Sequence, residues 1–387
     1  MNLIIIPFHD WRKSQNEGFR TRDVHFIKAL SENKSVENIL VVNRPSTWLE
    51  LLYKRSDKNV KGEQLLSNRN FTLTKVGSKI YVADYHSRDI FNQIKKKHLW
   101  FIQKYNDPKY IKFINTCCLE LNMENSALII QNIFSYKLGV NLVAKCKLFD
   151  AWDNFLKFPA YKNIKYYLKE GYKELSNHVP LWITNSEENI SFYKSEFGPK
   201  NIYLMKNGVK VDFLTNNSEV PKDLASIPRP IIGFGGKITY LLNYKLINFI
   251  TQDNPKSSFV FVGQILDKKV YNKIEKRKNV FFLGDKNYSI YPRYVSNFDI
   301  CIVPYNINEG QHGGDSMKAY EYLLTGKKVV GTNGNGLQDL KEYLYLAENP
   351  KEFSDLLMNY KNEKAIINIE DHSWQSKSVK LLNYLKK

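Results

Sequence analysis

Residues 315–331 read Asp315-Ser316-Met317-Lys318-Ala319-Tyr320-Glu321-Tyr322, then Leu323-Leu324-Thr325-Gly326, then Lys327-Lys328-Val329-Val330-Gly331. Asp315 or Ser316 is a suitable helix N-cap, because a short side-chain oxygen can accept a hydrogen bond from the unpaired amides of the first turn. The apolar Tyr322, Leu323 and Leu324 carry the helix to Gly326, a natural stop, and the run KKVVG then reads as a strand. A helix leading at once into a continuous apolar strand belongs to a parallel sheet covered on both faces, so the stretch predicts an α/β fold.

The same alternation extends along the chain in both directions. Strands are predicted at Leu3–Pro7, Ile39–Val42, Ala127–Ile130, Cys146–Phe149, Leu181–Thr184 and Ile202–Met205, and again at Ile231–Phe234, Ser258–Val262, Val280–Leu283, Ile300–Val303, Lys328–Gly331 and Tyr343–Leu346. Helical patterns lie between them at Phe19–Ser31, Asp89–Tyr105, Ile190–Phe197, Asn243–Thr251, Asp315–Thr325 and Pro350–Tyr360. A chain of 387 residues is too long for one ordinary core and implies two domains. NNSEVPKDLASIPRP (216–230), with three prolines and no apolar period, marks the boundary. The expected division is a first domain over 1–210, a linker over 211–228 and a second domain over 229–371. A C-terminal helix over 372–387 has Val379, Leu382 and Leu385 on one stripe and is free to pack back on the first domain.

Composition excludes several classes. With 43% hydrophobic and 25% charged residues the chain is globular and not disordered. The opening MNLIIIPFHD is too short an apolar run for a signal peptide or a membrane span, and no later run is longer. Cys117, Cys118, Cys146 and Cys301 lack CxxC spacing, which argues against a zinc ribbon or a disulfide framework and predicts a cytoplasmic protein. The net charge of +18 is uneven: residues 1–210 hold 33 Lys and Arg against 20 Asp and Glu, the remainder 24 against 19. A basic first half suits an anionic membrane surface, nucleic acid or a phosphorylated substrate. Without RNP, KH or zinc motifs, nucleic acid is not the expected partner. The run Lys95–Lys97 reads as a solvated helix face.

Four features at the ends of predicted strands point to chemistry. Gly233-Phe234-Gly235-Gly236-Lys237 closes a strand with glycines that let a backbone approach a ligand, plus a cation. The glycine-rich Gly310-Gln311-His312-Gly313-Gly314 precedes the helix of Ser316, Met317 and Lys318, whose free amides and dipole favour an anion. Glu321, three residues beyond Lys318, shares its helix face one turn deeper. A cation at the mouth with a carboxylate behind it suits a diphosphate leading to a ribose. NVFFLGDKNY, with Gly284 and Tyr288, could frame a nucleobase, and Asp299–Tyr305 is a buried strand ending in Pro-Tyr.

These phrases, in the order IGFGG, FVFVG (259–263), NVFFLG, FDICIVPY and KAYEYLLTGKKVVGT, resemble the GT-B glycosyltransferases, as do WITNSEEN and NGVKVDFL (207–214) at the close of the first half. The resemblance covers most of the chain. It implies two Rossmann-like domains with a cleft between them, the acceptor in the first and a nucleotide-sugar donor in the second. Retaining relatives often carry two glutamates eight positions apart. Here the first would fall on Gly313, and Glu309 is four residues too early. The Lys-x-x-Glu-Tyr arrangement is closer to capsule, teichuronic-acid and xanthan-type members and leans towards inversion.

By this resemblance the donor diphosphate falls to Gly235, Gly236, Lys237, Ser316, Met317 and Lys318, and the ribose and base to Glu321, Gly263, Gly284, Tyr288 and Tyr305. Arg12, Arg20 and Arg22, after the first strand, could hold an anionic acceptor, or Arg20 and Arg22 could simply pair with Glu17 and Asp23. In Phe149-Asp150-Ala151-Trp152-Asp153, carry-over favours Asp153 as general base with Asp150 second, and His9 is a minor candidate. The expected protein is a cytoplasmic glycosyltransferase, peripheral on the membrane, acting on a lipid-linked or growing surface glycan. A UDP-sugar is the favoured donor and a GDP- or dTDP-sugar the alternative. A sugar-nucleotide epimerase of the same fold is the other enzyme reading. No DxD triplet occurs, so neither metal nor cofactor is expected.

Overall fold

Leu3–Ile6 is an unbroken apolar run, and in the computed structural model it forms strand β1 with all 4 residues buried. A strand buried on both faces needs partners and cover on both sides, and β1 has them. It pairs in parallel with β2 (Ile39–Val42), Ile4 opposite Leu40, and with β7 (Ala127–Ile130), Ile4 opposite Leu128. The strands between these are β3 (Ser46–Thr47), β4 (Glu63–Asn68), β5 (Phe71–Lys75) and β6 (Ile80–Ser87). After β7 come β8 (Cys146–Asp150), β9 (Leu181–Thr184) and β10 (Asn201–Leu204). The sheet order is β10-β9-β8-β7-β1-β2-β6-β5-β4, with β3 on β6; only β5 runs against the others, pairing antiparallel with β6 and with the edge strand β4.

A second sheet is built from β11 (Ile231–Gly235), β12 (Ser258–Val262), β13 (Val280–Gly284), β14 (Ile300–Val303), β15 (Lys328–Thr332) and β16 (Tyr345–Ala347). All its pairs are parallel and its order is β13-β12-β11-β14-β15-β16. In chain order that is third, second, first, fourth, fifth, sixth, the doubly wound Rossmann order. The parallel part of the first sheet repeats it, from β6, β2 and β1 to β7, β8 and onward. In each sheet the winding reverses beside its first strand, and ligands of such sheets bind at the carboxyl ends there. Those two points are the β1/β7 ends and the β11/β14 ends.

The described residues are 1–214, 219–307, 314–359 and 361–386. They form two units, Met1–Lys206 with Gln375–Lys387, and Asn207–Trp374. The expected linker 211–228 is therefore not separate where it is described. Phe213, Leu224 and Ile227 are buried in the second core, and Asp223 holds Lys286 at 2.7 Å. The unit starts earlier, because Val209 bonds to His372 O and Trp374 N bonds back to Val209, which ties the entering and leaving chain side by side. The last helix, Trp374–Lys386, belongs mostly to the first unit. It buries Leu381, Leu382 and Leu385, while Val379 of the expected stripe is exposed. Tyr384 stacks on Tyr203 at 4.6 Å.

The predicted helix Asp89–Tyr105 is two helices, Ile90–Lys96 and His98–Tyr105, separated at Lys97 by a left-handed φ of 50°. The edge hairpin β4–β5 is an addition to the predicted strands. Most of the side chains of β4 are exposed, so it carries no continuous apolar run.

Candidate active site

In the second unit, the helix Met317–Leu324 packs its Tyr322 hydroxyl onto the end of β11, which takes Gly235 N–H at 2.6 Å and donates to Gly235 O at 3.0 Å. This anchors the helix start beside Gly236. A Cβ on Gly236 would lie 2.7 Å from Lys318 Cε, so the lysine stem crosses the bare backbone there. Gly263, at the end of β12, faces Gly236 O so closely that a Cβ would sit 2.0 Å from it. Its N–H bonds to Gly284 O and Gly236 N–H to Val262 O, both at 2.8 Å. Glycine is required at 263 by this approach to backbone, and at both 236 and 263 by a φ of +153°, which other residues rarely adopt.

Lys318 Nζ donates to the Tyr305 hydroxyl and lies 5.6 Å from the Phe234 ring centre. The Ser316 Oγ is buried with no hydrogen-bond partner among the described residues. Lys237 follows Gly236 half-buried. Asp315 is not free to meet a ligand: Asn207 Nδ2 donates to its carbonyl at 2.7 Å and Tyr320 OH to its carboxylate at 2.9 Å. Tyr288, expected near a base, is buried and gives its hydroxyl to Glu321 Oε1 at 2.7 Å. Tyr288 and Tyr305 thus position the two charged groups. Glu309 and 310–313 of the glycine-rich loop lie outside the described residues.

Glu321 is buried, and burial pushes its carboxyl up to about 7, against the lowering effects of the Tyr288 hydrogen bond and the Lys318 charge. Between the ordinary value of 4.5 and about 7 the folded protein keeps a proton that the unfolded chain releases. Stability from this group therefore falls as pH rises through that window. Glu321→Gln keeps an oxygen for Tyr288 and removes the titration. Urea unfolding at about pH 8 should find the variant more stable than the parent by up to about 3 kcal/mol, and equal to it near about pH 4. Identical pH profiles would refute the assignment.

In the first unit the three predicted acceptor arginines do other work. Arg12 is buried between Asp10, at 2.6 Å, and Asp84. Burial alone would lower its pKa; the two carboxylates outweigh it and raise it. Arg22 grips Asp150 through Nε at 3.1 Å and Nη2 at 3.0 Å and donates to Met205 O, tying the ends of β8 and β10. Arg20 pairs with Glu17 at 2.9 Å, as the simpler reading has it, but Arg22 does not pair with Asp23. Arg12 and Arg22, expected as acceptor ligands, thus stand as buried ties among carboxylates. Asp150, the second candidate base, is the carboxylate that Arg22 holds, and Gln131 also donates to it at 3.1 Å. Asp153 is buried, with its carbonyl held by Tyr193 OH at 2.9 Å.

His9, the minor candidate, stands at the β1 end. His9 Nδ1 lies 3.0 Å and 3.1 Å from the two oxygens of Asp23, which also accepts His9 N–H at 2.8 Å and the Thr21 hydroxyl. Burial would raise the Asp23 pKa, but the His9 charge and these bonds hold it well below the usual carboxylate range. A fixed carboxylate on Nδ1 sets the ring's tautomer and leaves Nε2 for another group. Among the described residues Nε2 has no hydrogen-bond partner.

His9 lines a cavity of about 350 Å³ with Phe8, Phe101, Phe134 and Tyr161. Lys13, Arg44, Lys54, Lys97 and His98 are on its walls. The His98 pKa is lowered by burial first and then by Arg44, Lys97 and Lys54. Sequence reasoning missed this cationic group, although Arg44 stands just past the end of β2, where the strand-end rule points.

No family model matches the sequence. Among curated proteins the chain is similar to the "Putative teichuronic acid biosynthesis glycosyltransferase TuaH" of Bacillus subtilis (strain 168), 27% identical over 153 residues. That match spans 38% of this chain and 38% of the relative's own length. Among solved structures, sucrose-phosphate synthase from Thermosynechococcus elongatus superposes with a TM-score of 0.70 at 12% identity, covering 100% of this chain and 98% of that one. A trehalose-phosphate synthase (UDP-forming) from Burkholderia xenovorans, in complex with glucose-6-phosphate, gives 0.65 at 10% identity over 99% of both chains. Trehalose-6-phosphate synthase of E. coli, bound with UDP-2-fluoro glucose, gives 0.62 at 10% identity, covering 100% and 96%. With the Rossmann strand order in both units, the chain has the fold of the GT-B glycosyltransferases.

Proposed function

We propose that the protein is a glycosyltransferase that moves a sugar from a nucleotide-sugar, a UDP-sugar before a GDP- or dTDP-sugar, to a glycan acceptor of the cell envelope. The observation that carries this is the group at the β11/β14 ends. Lys318, the bare backbone of Gly236 and Gly263, and the first-turn amides after Ser316 suit a diphosphate. Glu321, one turn deeper, suits the ribose hydroxyls. Negative charge grows on the leaving diphosphate as the sugar–phosphate bond breaks, and preorganised positive groups stabilise it. We assign that task to Lys318 and the amides, without a divalent cation. His9, oriented by Asp23, is proposed as the general base that takes the proton of the acceptor hydroxyl for direct displacement with inversion. The similarity to a teichuronic acid enzyme supports an envelope glycan as acceptor; we infer that this glycan is lipid-linked or growing and is met at the inner membrane surface.

Thermal unfolding with UDP, GDP, dTDP, CMP and their sugars, each with EDTA present, tests the donor half. A ligand at about 100 times its Kd adds about 2.7 kcal/mol of stability, so one uridine compound should stand out by its midpoint. A shift that appears only with a divalent ion overturns the metal-free assignment, and no shift with any nucleotide overturns the donor site.

A further inference from the structure

The helix Ile90–Lys96 contains Ile90, Phe91 and Ile94, yet none of its residues is buried. Phe91 is 77% and Ile94 61% exposed. Beside it the helix Trp48–Tyr53 buries only Leu51 and turns Trp48, Leu52 and Tyr53 outward, Tyr53 at 87%. The two helices are tied together: the Thr47 hydroxyl donates to Gln93 Oε1, and Gln93 Nε2 donates to Glu50 Oε2 at 2.6 Å. Five large apolar side chains on neighbouring helices thus face solvent. Exposed apolar groups gathered in this way mark an interaction surface.

The charges around them identify the partner. Lys54, Arg55, Lys58, Lys61 and the run Lys95–Lys97 stand in the same two segments. Their carboxylates are few and already engaged, Glu50 by Arg44 and Lys54, Asp57 by Lys61 at 3.1 Å. Exposed aromatic and aliphatic side chains on segments rich in lysine suit the boundary between acyl chains and anionic headgroups. A second copy fits poorly, because a symmetric pair would bring the same lysines face to face. We propose that these two helices dock the protein on an anionic lipid bilayer. The lysine run is then part of a binding surface and not merely a solvated face.

Glu50, Lys54, Gln93 and Lys97 of the same segments also wall the cavity beside His9. Docking would hold that cavity at the lipid surface, where a lipid-linked acceptor is presented. This purpose rests on the glycosyltransferase reading; the docking itself does not.

Co-sedimentation of the full chain tests it, with vesicles of phosphatidylcholine and phosphatidylglycerol in equal amounts against phosphatidylcholine alone. Binding is expected to the mixed vesicles and to weaken with salt. Leu52→Ser with Phe91→Ser should weaken it about tenfold or more. Lys58→Glu and Lys95→Glu should each weaken it roughly fivefold or more. Nucleotide-induced thermal shifts should be unchanged in all these variants. Equal binding by parent and variants, or equal binding to both vesicle types, overturns the inference. So does a parent dimer that Leu52→Ser/Phe91→Ser dissociates, which makes a second copy the occupant. A protein that binds the vesicles but shifts with no nucleotide keeps this inference and overturns the donor reading.

Discussion

Replacing Lys318 by alanine is expected to lower turnover about 100-fold or more, the usual loss when one preorganised charge-stabilising group is removed. The expectation rests on how the ammonium is held. Its stem crosses Gly236, its Nζ donates to Tyr305 OH, and among the described residues no carboxylate forms an ion pair with it. Its charge is therefore not spent on a structural partner, unlike those of Arg12 and Arg22. Losing the amine's position over the rings should cost only about 0.5–1 kcal/mol of stability, so the variant should fold normally. Steady-state kinetics on parent and variant decide the matter. Turnover within about threefold of the parent, under about 0.7 kcal/mol of barrier, would remove Lys318 from the mechanism.

His9→Ala should cost between about 100- and 10,000-fold in turnover, the range for a lost general base. Nucleotide-induced thermal shifts should be unaffected, because the groups proposed to hold the nucleotide belong to the other unit. Asp23→Asn should also lower turnover, since an amide no longer fixes the ring through Nδ1. It should lower stability too, because the buried carboxylate accepts bonds from His9, Thr21 and Val24. If His9→Ala is active and Asp153→Asn is not, the base is Asp153.

The two sheets were legible because their inner strands are continuous apolar runs, as in Leu3–Ile6 and Ser258–Val262. The diphosphate candidates were legible for a similar reason: Lys318 and Glu321 sit on one helix, three residues apart, at a position the strand pattern marks. What pairs over long sequence separation was not legible. Arg12 meets Asp84 across 72 residues and Arg22 meets Asp150 across 128, so both looked available. His9 looked solitary because its carboxylate is 14 residues away, past an intervening helix. The break at Lys97 had no glycine or proline to announce it. Tyr288 and Tyr305 look like ligand contacts in the sequence, which does not show that each hydroxyl is committed to a charged neighbour.

The helix that returns to the first unit makes that unit discontinuous. Residues 1–206 leave the ribosome with all ten strands of their sheet but without Leu381, Leu382 and Leu385 to cover it. The whole second unit must be synthesised before that covering arrives. A fragment cut at the boundary would display Tyr203 and Cys146 where Tyr384 and the Leu385 carbonyl belong. An expression fragment meant to isolate the first unit therefore needs residues 375–386 grafted on by a short connector.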